Sequence, residues 1–188
     1  PGSLAKVLGV CDYGEYFAAQ MSDEVLHLAV VQAKIHHARI VKLEYDEAGR
    51  MPGVEKIITA EDVKGTNILR MIPPLGSPHY YSDGFDHPVI CDKKIFRYGD
   101  VVAVVAAHTR KQARMAAEKV NIVYEELPAY LTFMDAAAKD AVRVHDQSPN
   151  VYIEQPLFKG GYTRDIFKTS KYSAEGSFST KRQPHLPI

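Results

Sequence analysis

Residues Tyr98 to Pro128 constrain the fold more than any other stretch of the chain. The run Val101-Val102-Ala103-Val104-Val105-Ala106-Ala107 is continuously apolar and rich in β-branched residues, the pattern of a strand buried on both faces. A helix is predicted over Arg110–Lys119. Thr109 stands at an N-cap position with Gln112 three residues on, and Ala113, Ala116, Ala117 and Val120 recur at helical spacing. Small alanines on that stripe let a helix lie close on a sheet. A second strand, Val120–Tyr124, closes at Glu125-Glu126-Leu127-Pro128, where the proline restricts Leu127 and stops the ladder. The centre of the chain therefore reads as a β-α-β unit, right-handed if its strands are parallel.

Around that centre the pattern predicts an α+β domain. Strands are expected at Leu26–Lys34, Ile40–Tyr45 and Val54–Thr59. Asp46-Glu47-Ala48 suits a helical turn ended by Gly49, and Thr59-Ala60-Glu61-Asp62 a capped one. From Asn67 to Pro88, prolines and glycines break any regular element, which predicts a long surface loop. After Pro128, a short helix is expected at Asp135–Lys139, a strand at Val142–His145 and a turn at Ser148-Pro149-Asn150. Gly160-Gly161 reads as a break, and the alternation from Tyr172 to Ser179 as a half-exposed strand. Residues 1–24 read as an extended lead-in, 25–150 as one domain with a mixed sheet, and 151–188 as a short extended stub of a second domain.

Lys plus Arg and Asp plus Glu are both 23, so the formal charge is zero, which argues against a nucleic-acid or membrane-surface partner. No apolar run approaches the roughly 20 residues that span a bilayer. No secretory leader stands at the start, and two cysteines 80 residues apart fit a reduced, cytoplasmic compartment. The opening Pro1-Gly2-Ser3-Leu4 and the apolar end at Ile188 predict a piece of a longer polypeptide.

Candidate sites are weak one by one. His79, Asp83, Asp86 and His87 lie within nine residues, yet their spacing does not impose the convergence a metal needs, and a polar surface loop accounts for them. His36 and His37 are neighbours, which on a strand point to opposite faces, and they more naturally flank a turn. Glu125 and Glu126 cannot converge on one substrate atom for the same reason. Lys159-Gly160-Gly161 lacks the spacing of a phosphate loop. Cys11 and Cys91 have no adjacent base to mark a nucleophile, and cannot by themselves hold an iron–sulfur cluster. No catalytic, cofactor-binding or metal residue is assigned.

Several stretches taken together resemble the molybdenum hydroxylases, the xanthine dehydrogenase and aldehyde oxidoreductase family. They are Leu26 to Ala33, Met51-Pro52-Gly53-Val54 leading into Ile57 to Val63, Tyr98 to Ala106, Ala113 to Val120, Glu125-Glu126-Leu127-Pro128, Glu175-Gly176-Ser177-Phe178 and Arg182-Gln183-Pro184-His185. Their order matches the family's α/β hammerhead domain followed by the first strands of its molybdopterin-binding domain. The Glu-Glu-Leu-Pro-Ala-Tyr run and Arg-Gln-Pro-His-Leu-Pro are most similar to the bacterial aldehyde oxidoreductases. The resemblance implies an enzyme that hydroxylates aldehydes to carboxylic acids with water as the oxygen source. A purine or heterocycle hydroxylase is the nearer alternative, and a non-catalytic interaction module the more distant one. It implies molybdopterin, in its plain or cytosine dinucleotide form, and two [2Fe–2S] clusters in the full-length enzyme, with none of them held by this piece. The implied partners are the iron–sulfur and molybdopterin domains of the same polypeptide and a small-molecule aldehyde or heterocycle, and a homodimer is allowed. Gln183 and His185 would at most support the molybdenum domain's opening strand.

Overall fold

The computed structural model describes residues 2–11, 14–21, 25–69, 87–151, 159–160 and 163–181. The chain divides into two compact units, Pro1–Tyr152 and Ile153–Ile188.

Among the described residues, the first unit holds two three-stranded sheets. Strands β1 (His27–Gln32), β2 (Ala38–Glu44), β3 (Val54–Ile58), β4 (Lys94–Ile95), β5 (Val101–Ala107) and β6 (Asn121–Glu126) are ordered β1-β5-β3 in one sheet and β4-β2-β6 in the other. Each of these strand pairings is antiparallel, so the expected mixed sheet is not what forms. The cause lies in β5. Both its edges are taken, by β1 and β3, so β6 cannot sit beside it and pairs with β2 instead. Helix α4 (Arg110–Ala117) thus joins two sheets and makes no parallel crossover within one.

Burial follows the sequence closely at the centre. On β5, Ala103 and Val105 enter one core with Val31, Ala48 and Ala116. Val102 enters a second core with Ala33, Ala38, Cys91 and Ile95. Leu43 and Ile122 border both, which is how the sheets share an interior. The strand is apolar throughout because it meets a core on each side. Helix α4 buries Ala113 and Ala116 fully, and Ala116 enters the first core. Its N-terminus is capped as the sequence indicates: the Thr109 hydroxyl accepts from the Gln112 amide at 3.2 Å. Helix α3 (Asp46–Gly49) and a 3-10 turn over Ala60–Asp62, with a capping box from Thr59, also stand where predicted.

Elsewhere the structure departs from expectation. The lead-in contains two short helices, α1 (Gly2–Val7) and α2 (Gly14–Gln20). Leu4, Ala5, Lys6 and Leu8 are good helix formers, and with Leu4, Val7 and Leu8 exposed, propensity stands in for packing. Helix α5 spans Phe133–Ala136, started by Thr132, whose hydroxyl accepts from the Asp135 amide at 3.2 Å. Val142–His145 is not a strand, because Asn150 and Tyr130 supply the bonds a ladder would. The Val144 amide donates to Asn150 Oδ1 at 2.8 Å and the Val142 amide to the Tyr130 hydroxyl at 2.6 Å. In the second unit, helix α6 (Thr163–Thr169) interrupts the expected extended stub. Tyr172–Ser179 pairs with no described strand and is exposed along its length, since alternation alone does not make a strand without a neighbour.

Candidate functional site

The strongest convergence of side chains lies at the entry to β5. Arg97 to Asp100 form a tight turn, closed by the Asp100 amide donating to the Arg97 carbonyl at 3.3 Å, with Gly99 at φ +91. That positive φ is available to glycine without strain. The turn folds the Asp100 carboxylate back over its own segment, where it is fully buried. Oδ2 accepts from the Phe96 amide at 2.8 Å, the Arg97 amide at 3.1 Å and the Cys91 thiol at 3.8 Å. Oδ1 accepts from His87 Nε2 at 2.9 Å and Arg97 Nε at 3.1 Å. Five donors satisfy a buried carboxylate that would otherwise be expensive to desolvate.

The segments flanking residues 70–86, the expected long loop that lies outside the described residues, are tied together beside that carboxylate. Asn67 Nδ2 donates to the Ile90 carbonyl at 2.7 Å, and the Ile90 amide donates back to Asn67 Oδ1 at 3.0 Å. Leu69 and His87 exchange backbone bonds as an isolated antiparallel bridge. The imidazole of His87 is therefore held by Asp100 from one side, while its backbone ties the two stems together.

His87, Cys91 and Asp100 bring their ligand atoms within 4.8 Å of one another. Asp100 bonds both of the others. Burial, reinforced by the neighbouring Asp100 carboxylate, pushes the Cys91 thiol up from an ordinary 9.0 to about 12. The thiol keeps its proton and donates it. His87 Nε2 likewise donates, because the carboxylate opposite it only accepts. The cluster acts as a hydrogen-bonded knot with no open valence and, Asp100 being 3% exposed, no face for substrate.

Of the residues weighed from sequence, His79, Asp83 and Asp86 lie outside the described residues, as do Gln183 and His185; His87 joins the knot. His36 and His37 lie in the bend that leads into β2, flanking a turn as expected. The His36 ring rests 5.5 Å from Tyr98, whereas His37 is buried and its Nδ1 donates to the Pro128 carbonyl at 2.6 Å. The His37 carbonyl also accepts from Leu127 at 2.9 Å, which fixes the chain leaving β6. Glu125 faces Arg39 at 3.8 Å across the exposed second sheet, a solvated pair with no acid–base partner. Gly160 adopts φ +82 as a turn residue. Cys11 is half-buried at the end of the first segment. Asp100 was the residue missed: its signal was a turn glycine followed by an acid directly before an apolar strand. No helix among the described residues is long and apolar enough to cross a membrane.

Relatives with a known role share this architecture. The aldehyde oxidoreductase of Megalodesulfovibrio gigas is 47% identical over all 188 residues, and the chain spans 20% of its length. The nicotinate dehydrogenase large molybdopterin subunit of Eubacterium barkeri is 32% identical over 187 residues, 99% of this chain and 40% of that one. Among solved structures, the aldehyde oxidoreductase from Desulfovibrio gigas superposes with a TM-score of 0.83 at 46% identity, over 92% of this chain and 19% of that one. The sequence profile of the aldehyde oxidase and xanthine dehydrogenase a/b hammerhead domain matches residues 14–128. With a profile match over more than half of its length and 47% identity to an aldehyde oxidoreductase, the chain belongs to the aldehyde oxidase and xanthine dehydrogenase hammerhead family.

Proposed function

We propose that this chain is the hammerhead domain, with the segment that follows it, of a molybdopterin-dependent oxidoreductase that hydroxylates aldehydes to carboxylic acids using water. The observation that carries the reading is 47% identity to an aldehyde oxidoreductase over every residue of the chain. The role assigned to this part is scaffolding. Residues 25–150 form the hammerhead domain and 151–188 open the molybdopterin-binding domain, a division supported by the break between the two units near Tyr152.

No chemical step is assigned to the described residues. An iron–sulfur cluster is held by several cysteine thiolates, and the His87–Cys91–Asp100 group offers one. When bound elsewhere in the longer protein, molybdopterin would supply the hydroxylation chemistry and the clusters would carry electrons away. The contribution of this domain is mechanical: the Asp100 knot and the Asn67–Ile90 pair hold both stems of the 67–88 loop at a fixed separation. Such a loop on a rigid base suits the rim of a substrate channel.

A heterocycle hydroxylase is the second reading, favoured by the 32% identity to a nicotinate dehydrogenase subunit across 99% of the chain. The longer protein, purified with its cofactors matured, should contain molybdenum and oxidise simple aldehydes faster than hypoxanthine or nicotinate. Turnover of the heterocycles alone would favour the second reading, and correctly matured protein lacking molybdenum would rule out both.

A further inference from the structure

The edges of the two sheets are not treated alike. β3 carries exposed Glu55 and Lys56, paired with His108 and Asp62. β6 ends in exposed Glu125 and Glu126, and β4 is two residues long. Charge and shortness are the usual means of keeping an edge from pairing. β1 has neither. Its six residues, His27-Leu28-Ala29-Val30-Val31-Gln32, include no acid, lysine or arginine, and only β5 pairs with it among the described residues. Leu28 is 64% and Val30 53% exposed. A groove of about 500 Å³ runs along this edge, lined by Val30, Gln32, Tyr98, Ala117, Val120 and Tyr124 among others.

We propose that in the longer protein an extended segment from outside residues 1–188 pairs with the edge of β1 that no described strand occupies, laying apolar side chains on Leu28 and Val30 and polar ones into the groove, where Lys34, Arg114 and Glu118 also stand. This rests on the reading that the chain is one part of a larger oxidoreductase. Adding a strand to an exposed edge gives affinity through main-chain bonds and specificity through alternate side chains. The source is the same protein because the chain spans only 20% of its Megalodesulfovibrio gigas relative, leaving most of such a protein available. A tethered segment acts at an effective concentration of roughly millimolar, above what a second copy reaches in dilute solution.

Hydrogen exchange in the longer protein, resolved to single amides over residues 25–34, tests the assignment. Protection of consecutive β1 amides, including those pointing away from β5, is expected at every protein concentration. Val30→Lys should accelerate exchange there at least about tenfold, because it places an unpaired charge on a covered surface. Alternating protection, with only the amides facing β5 slowed, would overturn the proposal. So would protection that rises with protein concentration, which would assign the edge to a second copy. If the variant fails to fold, the wild-type pattern still decides. Molybdenum content, measured on the same sample, keeps the two readings apart: full β1 protection without molybdenum supports the added strand and sinks the proposed activity.

Discussion

One carboxylate ties His87, which bridges to Leu69, to the turn before β5. Replacing Asp100 with alanine would leave the Phe96 and Arg97 amides without acceptors in a buried setting and release His87 and Cys91 together. A loss of about 3 kcal/mol is expected from orphaned donors of this kind, read as a lowered midpoint in urea. Asp100→Asn should cost less, since an amide oxygen can still serve the two backbone donors. Cys91 offers a second reading of the same site. Its thiol is held well above the ordinary range, so iodoacetamide at pH 8 should leave Cys91 unmodified in the folded protein and label it on unfolding. The sign of the linked stability follows. The folded state keeps a proton that the unfolded thiol gives up near pH 9.0, so this contribution is complete below pH 9.0 and fades as pH rises towards about 12. A Cys91→Ala protein should show a flatter alkaline stability profile over that window.

At the scale of elements, what the sequence made legible is what it encodes locally. The β5-α4-β6 order could be read because a long apolar run, a Thr-x-x-Gln cap and an alanine stripe each act over a few residues. Thr109→Ala should accordingly cost about 1 kcal/mol, measurable by thermal or chemical denaturation. Pairing could not be read in the same way. That β6 joins β2 instead of β5 depends on β5 having already spent both its edges on partners far away in sequence. The same limit explains Val142–His145, where β-branched residues suggested a strand. One side chain decides otherwise: Asn150 takes the Val144 amide and donates to the Ala136 and Val142 carbonyls at 2.9 and 3.0 Å. Asn150→Ala removes these bonds at once, and amide exchange across 136–144 should rise while β5 stays protected. The Asp100 knot was illegible for a related reason, since its members belong to a turn, a loop stem and a connecting segment that only the fold brings together.

Taken whole, the first unit leaves much apolar surface without cover. Leu131, Phe133 and Met134 are 77%, 83% and 69% exposed within four residues, in addition to Leu28 and Val30. Patches of this kind on a stable monomer are uncommon and mark surfaces meant for something else. The 188-residue chain alone should therefore self-associate at micromolar concentration in sedimentation velocity, while the longer protein, with these faces covered, should not.

The pairing of β1 with β5 also sets a schedule. His27 lies opposite Ala107, so the two strands leave the ribosome far apart in time. At roughly 5–20 residues per second, the wait between them is on the order of ten seconds. During that interval β1 lacks its partner β5, and a cell making this protein would need to shield a bare strand before there is a sheet to receive it.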